Sequence, residues 1–172
     1  MAGEKYLKVG AAGFPEEAFS AQTSAGVADA NKIAALDATG KLDTTMMPSG
    51  LGADSVTATA GEAIAAGDLV YITATGTIMK ADANAVAKAA IGFCNVAIAN
   101  AQPGTVLFEG SITGKSGLTP GAWYFLSGTA TGAVVLAAGI PTANNSIVQS
   151  IGVATSATTI SFEASKPIVR AA

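Results

Sequence analysis

Catalysis needs groups that donate, accept or attack, and this sequence holds few of them. It has no histidine, which removes histidine triads, imidazole metal sites and proton transfer by imidazole. Its single cysteine, Cys94, lies in Ile91-Gly92-Phe93-Cys94-Asn95-Val96, an apolar stretch without a neighbouring base. A free cysteine in such a setting is expected to be a buried small hydrophobe. The carboxylates Glu16, Glu17, Glu62 and Asp68 are scattered near turns, without the pairing that hydrolysis requires. Glu109 is flanked by strand-like apolar residues, and three roles stay open for it: pairing with Lys115, an intersubunit partner, or solvent. The expectation is a chain that is not an enzyme and carries no cofactor or metal.

Two short motifs fail on spacing. Gly110-Ser111-Ile112-Thr113-Gly114-Lys115-Ser116 is one residue short of a phosphate-binding loop. Gly117-Leu118-Thr119-Pro120-Gly121 then forbids the helix whose amides would hold the phosphate. Asp37-Ala38-Thr39-Gly40 has one residue too many for the Asp-Thr-Gly of aspartic proteases and has no second copy. It reads instead as a hairpin turn, with Asp opening the turn and Gly supplying a positive φ.

That turn belongs to the most distinctive stretch of the chain, Ala28 to Asp54. Lys32-Ile33-Ala34-Ala35-Leu36 and Lys41-Leu42-Asp43 flank it, and Met46-Met47-Pro48-Ser49-Gly50-Leu51-Gly52 follows. Two flexible thioethers fixed by a proline make an adaptable apolar plug. A segment this short cannot bury these side chains against itself, so it is expected to dock on another surface.

Charge divides the chain more sharply than any linker. From Ala89 to Phe162 only Glu109 and Lys115 are charged, whereas 12% of the whole sequence is; about 25% is usual. A surface so poor in charge tends to associate, and the expectation is that copies of the chain or a host assembly cover much of it. The net charge of −3 gives no reason to expect nucleic acid, which calls for clustered Lys and Arg. Mean hydropathy is +0.47, yet no run reaches the roughly 18–20 apolar residues of a membrane helix, and Met1–Gly10 has no apolar core of a signal peptide. A lone cysteine excludes an intramolecular disulfide.

These residues need a scaffold of short strands. Candidates are Ser55–Ala60, Leu69–Ala74, Thr77–Lys80, Ala90–Ile98, Thr105–Thr113, Trp123–Leu126, Ala133–Leu136, Ile147–Ala154 and Thr158–Glu163, each rich in Val, Ile, Thr or aromatics and bounded by turn residues. The spacing predicts an all-β fold, a compact antiparallel β-barrel or sandwich over residues 55–172. An extended N-terminal arm with short hairpins, residues 1–54, precedes it. Tyr6–Val9 and Ala18–Gln22 are expected to pair, Gln22–Ala30 to be a flexible connection, and Ala81–Ala90 to hold a turn or two of helix. Pro120-Gly121 sets a tight turn, after which Trp123, Tyr124 and Phe125 are expected to anchor the β-domain core. Lys166-Pro167-Ile168-Val169-Arg170 is expected to fray, with a short strand as the alternative.

In order along the chain, Lys32–Asp43, Met46-Met47-Pro48-Ser49-Gly50-Leu51-Gly52, Gly67-Asp68-Leu69-Val70-Tyr71-Ile72, Lys80-Ala81-Asp82, Ile91-Gly92-Phe93, Gly117-Leu118-Thr119-Pro120-Gly121 and Ile151-Gly152-Val153-Ala154 resemble small virion proteins of tailed bacteriophages. These are capsid decoration, or cement, proteins and the bases of head fibres. The likeness covers nearly the whole chain, and its Leu36-Asp37…Gly40-Lys41…Pro48 hook also recurs in tail fibres. The resemblance implies a structural protein, made in the host cytoplasm, that joins the outer surface of the head and bridges major capsid protein subunits as a homotrimer. Tyr6, Val9, Ile33, Leu36, Leu42, Met46, Met47, Pro48 and Leu51 would then be the docking residues, with Tyr6–Val9 and Ile33–Leu36 adding to exposed sheet edges. The β-domain would supply the trimer contact, and linked arms would bind with multivalent advantage. A head- or tail-fibre module contacting the host surface is the alternative. Membrane and nucleic acid are not among the expected partners.

Overall fold

Alternating Val, Ile, Thr and aromatic positions between Gly, Pro and Asn turns leave this chain little but strand to form. The computed structural model describes residues 4–47 and 54–171. It is nearly all β, with 35% strand, antiparallel sheets that include a curled half-barrel, and, among the described residues, no helix of seven or more residues. Among the described residues no helix is long and apolar enough to cross a membrane. The chain divides into two units, Met1–Gly52 and Ala53–Ala172.

The first unit contains one antiparallel hairpin, β1 (Lys5–Val9) with β2 (Pro15–Phe19). Three departures from expectation follow it. The segments beside the Asp37 turn do not form a hairpin; Ala34 pairs with Ala21 in a single parallel bridge instead. Residues 22–30 are not a free connection, because Gly26–Asp29 is a 3-10 turn. Thr44–Met46 forms another.

The second unit begins with β3 (Ser55–Thr59), β4 (Asp68–Ile72), β5 (Ile78–Lys80), β6 (Gly92–Cys94) and β7 (Pro103–Leu107). It continues with β8 (Gly110–Ile112), β9 (Trp123–Leu126), β10 (Val134–Val135), β11 (Ile147–Val148), β12 (Ser150–Ala154), β13 (Ile160–Phe162) and β14 (Ile168–Val169). Two expected strands break where they change sheet. Residues 105–113 divide at Phe108-Glu109 into β7 and β8, and residues 147–154 divide at Gln149 into β11 and β12. The predicted strand over 90–98 keeps only β6, because the Asn95 side chain leaves to bond β8 and its end: Nδ2 donates to the Ser111 carbonyl at 2.9 Å, and Oδ1 accepts from the Thr113 amide at 3.1 Å. Residues 81–90 hold one 3-10 turn, Val86–Lys88. The C-terminal segment does not fray, since β14 pairs with β11.

The two five-stranded sheets have the same topology, in the orders β3-β7-β6-β4-β5 and β8-β13-β12-β9-β10. In each half the first strand pairs with the last, the second makes a hairpin with the third, and the fourth lies between second and last. The sequence carries the duplication: Ser55-Val56-Thr57 matches Ser111-Ile112-Thr113, Thr73-Ala74-Thr75-Gly76 matches Thr129-Ala130-Thr131-Gly132, and Phe108-Glu109 matches Phe162-Glu163. Gly92 and Gly152 are also equivalent. A Cβ at Gly92 would lie 2.6 Å from the Leu107 carbonyl oxygen, and one at Gly152, where φ is +148°, would collide with that of Ser161. The fourth strand thus approaches the fifth too closely for any side chain at this point.

Strand alternation gives the first sheet two buried faces. Val70, Ile78, Cys94 and Val106 face a small core closed by Ala60, Ile64 and Ile98. Leu69 and Phe93 face the larger core, which they share with Ile112, Tyr124, Leu126, Ile151, Ile160 and Phe162 of the second half. The Phe93 and Phe162 rings meet there at 5.0 Å and 53°. Backbone bonds knit the halves together: Leu69 donates to Gly132, Gly132 to Ala81, Ala83 to Ser127 and Ile147 to Ala83, at 2.7–3.0 Å.

The aromatic run on β9 corrects one expectation. Tyr124 is buried, but its neighbours point the other way: Trp123 is 52% exposed and Phe125 half-buried. Three consecutive strand residues cannot share one face, so Trp123 is not a core residue.

Candidate docking surface

The first unit is held by polar turns rather than by a core. Among its described residues none is buried. Three aspartates each organise one turn. Asp29 accepts from the Ala25 amide and from Lys32 Nζ, both at 2.6 Å. Asp37 Oδ1 accepts from the Thr39 amide, the Thr39 hydroxyl and the Lys41 amide at 2.7–3.0 Å, while Gly40 takes φ +76°. Asp43 Oδ1 accepts from the Thr45 hydroxyl and amide at 2.6 and 2.9 Å. Hydrogen bonds to the charged form hold all three carboxyls below their ordinary value. The leading donor is Lys32 for Asp29, the Lys41 amide for Asp37 and the Thr45 hydroxyl for Asp43.

Apolar side chains remain on the outside of this frame. By register, Lys5, Leu7 and Val9 share a hairpin face with Phe19, Glu17 and Pro15. Lys5 bonds Glu17 at 2.6 Å and sits 5.3 Å from the Phe19 ring centroid. The opposite face carries Tyr6 and Ala18, both half-buried, and a Lys8–Glu16 ion pair of 2.9 Å. Phe14 projects from the hairpin tip. Leu7, Val9, Phe14, Phe19, Val27, Ile33, Leu36, Leu42 and Met47 are all exposed, half of the large apolar side chains exposed among the described residues.

Of the residues singled out from sequence, Tyr6, Ile33 and Leu36 come together along one groove of about 500 Å³, which Ser20, Gln22, Ala34 and Ala35 also line. The Ala21 amide donates to the Ile33 carbonyl and the Ala35 amide to the Ala21 carbonyl, at 2.9 and 2.7 Å. One edge of the 33–36 segment is therefore already engaged within the chain. Val9 lies on the other hairpin face, and Leu42, Met46 and Met47 follow the Asp37 turn, Met46 half-buried and Met47 exposed. Pro48 and Leu51 lie outside the described residues. Sequence reading missed Leu7, Phe14 and Phe19, although Lys5-Tyr6-Leu7-Lys8-Val9 alternates clearly and Gly13-Phe14-Pro15 places an aromatic in a turn.

The remaining reactive groups are engaged structurally. Cys94 is buried, and burial, with a smaller effect from Asp68, pushes its thiol up to about 11. Glu109 accepts from the Asp54 amide at 3.0 Å and so fastens the start of the β unit. Asp68 accepts from the Ala65 amide at 2.8 Å and lies 3.8 Å from Lys80. Among the described residues no three His, Cys, Asp or Glu side chains gather where they could hold a metal. Comparison of the chain with protein-family models and with curated proteins finds no match.

Proposed function

We propose that this chain is a structural protein of a phage virion, a decoration or cement protein whose first unit docks on the outside of the capsid and bridges major capsid protein subunits. The observation that carries the reading is a unit with its turns fixed by hydrogen bonds, no buried residue among those described, and nine large apolar side chains facing out. Each such side chain, fully buried at an interface, is worth roughly 1.5–3 kcal/mol, against an ordering cost reduced by the existing turns. The charge-poor β unit and the ordered resemblance to phage cement proteins support the same assignment, with the β unit linking copies as a homotrimer. The function is binding rather than catalysis, and needs no cofactor.

Attachment to purified heads lacking the protein tests this. Leu7→Ser/Val9→Ser and Met46→Ser/Met47→Ser variants keep a folded β unit and co-sediment with heads at least about tenfold more weakly, the loss of roughly 1.4 kcal/mol. Undiminished attachment of both variants refutes docking through this unit. Exposed Trp123 favours the alternative, a fibre module contacting the host surface. Virion copy number separates the two: a cement protein is present in hundreds, a fibre in tens.

A further inference from the structure

The outer edge of a sheet leaves backbone amides and carbonyls unpaired unless something covers it, and the duplication shows how this fold covers one. Strands β3 and β7 pair without a register shift, and their ladder is flanked by cross-strand bonds, Phe108 amide to Asp54 carbonyl at 2.8 Å and Ala60 amide to Gln102 carbonyl at 2.9 Å. Antiparallel alternation therefore turns the N–H and C=O groups of Val56 and Ala58 toward β7, and those of Ser55, Thr57 and Thr59 outward. In the second half the equivalents of Ser55 and Thr57 are Ser111 and Thr113. There one carboxamide fills the edge: Asn95 donates to the Ser111 carbonyl and accepts from the Thr113 amide. The outer edge of β5 is closed in the same pattern, with the Ile78 carbonyl accepting from the Gly61 amide and the Lys80 amide donating to Glu62. Among the described residues nothing bonds the outward groups of β3, and Ser55, Val56, Thr57 and Thr59 are exposed. No charge, proline or bulge interrupts the strand, although these are the usual guards of an open edge.

We propose that the outer edge of β3 receives an extended, uncharged segment of a partner protein as an added strand. The group that fills the equivalent edge is an amide offering one N–H and one C=O, which is the chemistry a polypeptide backbone repeats at each residue. A side-chain preference comes from a pocket of about 420 Å³ one strand further in, lined by Val96, Ala97, Ala99, Pro103, Thr105 and Leu107 among others. Of these, Pro103, Thr105 and Leu107 share a sheet face with Thr59, Thr57 and Ser55, so the pocket takes one long apolar side chain reaching in over the small residues of β3. On the opposite face Val56, 39% exposed, offers a second apolar contact. The inference goes beyond docking through the first unit and does not depend on it.

The probe is a capped peptide, Thr-Val-Thr-Leu-Thr-Val-Thr, titrated into the isotope-labelled full chain and followed by NMR. The expected result is saturable shifts and slowed hydrogen exchange at the Ser55, Thr57 and Thr59 amides, while those of Val56 and Ala58, already bonded to β7, keep their rates. Thr57→Pro removes one outward donor and leaves the bonds to β7 in place. It should weaken binding at least about tenfold, as should replacing the leucine of the probe by serine. Should Thr57→Pro melt early, a probe N-methylated throughout, which keeps its side chains but has no donors, gives the same loss on the unaltered chain. Absence of a saturable change overturns the proposal, as does binding that neither the proline nor the N-methylation weakens. Slow exchange of the three amides without the probe overturns it too: at all concentrations it means that the chain covers its own edge, and with rising concentration that a second copy does. Attachment to heads is read separately, so these outcomes concern the β3 edge alone.

Discussion

Gln149 ties the duplicated halves together, and removing its amide should cost more than any other single polar change in the β unit. It is 2% exposed. Its Oε1 accepts from the Ala90 amide at 2.8 Å, and its Nε2 donates to the Ala90 and Ser165 carbonyls at 2.7 and 3.0 Å. One side chain thus satisfies both backbone groups of a residue in the first half and one beyond the last strand of the second sheet. Gln149→Leu keeps the approximate volume and strands all three. Each buried group left unpaired costs about 1–3 kcal/mol. Ala90 is buried and counts fully, whereas Ser165 is exposed and counts little. Subtracting about 1 kcal/mol for the added apolar burial leaves a net loss of roughly 1–5 kcal/mol. With a urea dependence of about 2 kcal/mol per molar, the midpoint falls by about 0.5–2.5 M at unchanged slope. Gln149→Glu should be less stable still at neutral pH, because a carboxylate cannot donate to the two carbonyls, and should recover in part when protonated. Loss of under about 0.5 kcal/mol in Gln149→Leu, against the cost expected for unpaired buried groups, would show that the amide does not join the halves.

Gly152→Ala should destabilise by about 3 kcal/mol or more, the sum of a φ unfavourable to side chains and a clash with the Ser161 carbonyl; urea unfolding checks it, and a cost below that of an ordinary strand glycine contradicts the close crossing. The Cys94 thiol, buried and pushed up to about 11, should react with a thiol reagent at pH 8 only as fast as the β unit opens, read by the rise in rate with urea. The first unit should respond to acid. Asp29, Asp37 and Asp43 have folded values below 3.8, so their contribution is present above 3.8 and disappears as pH falls through the lower folded values. Limited proteolysis should therefore cut residues 4–47 faster under strongly acidic conditions than at neutral pH, with the β unit resistant at both.

Where a local rule was decisive, the sequence was readable. Trp123–Leu126 and Ser55–Thr59 follow from β-branched or aromatic runs between turn residues, Asp37–Lys41 from turn chemistry, and Cys94 from its apolar neighbours. The failures share one cause, which is that partners are chosen in three dimensions. The aromatic run suggests a core cluster of Trp123, Tyr124 and Phe125, but alternation along the strand buries only the middle residue. Phe108 and Gln149 look like strand interior but sit where the chain leaves one sheet for another. The duplication was hidden because its connections differ in length, with Ser127-Gly128 inserted ahead of the second Thr-Ala-Thr-Gly. In the first unit, the Asp37 turn and the exposure of Leu42 and Met47 were legible. The hairpin face of Leu7, Val9 and Phe19 required the register of β1 on β2.

Titrating heads that lack the protein with the purified full chain tests the central claim most directly, following bound protein by light scattering and head stability by calorimetry. The account predicts saturable binding to the outer surface and a higher melting temperature of the decorated heads. Heads that bind no protein, or that melt at the same temperature when saturated, would contradict it.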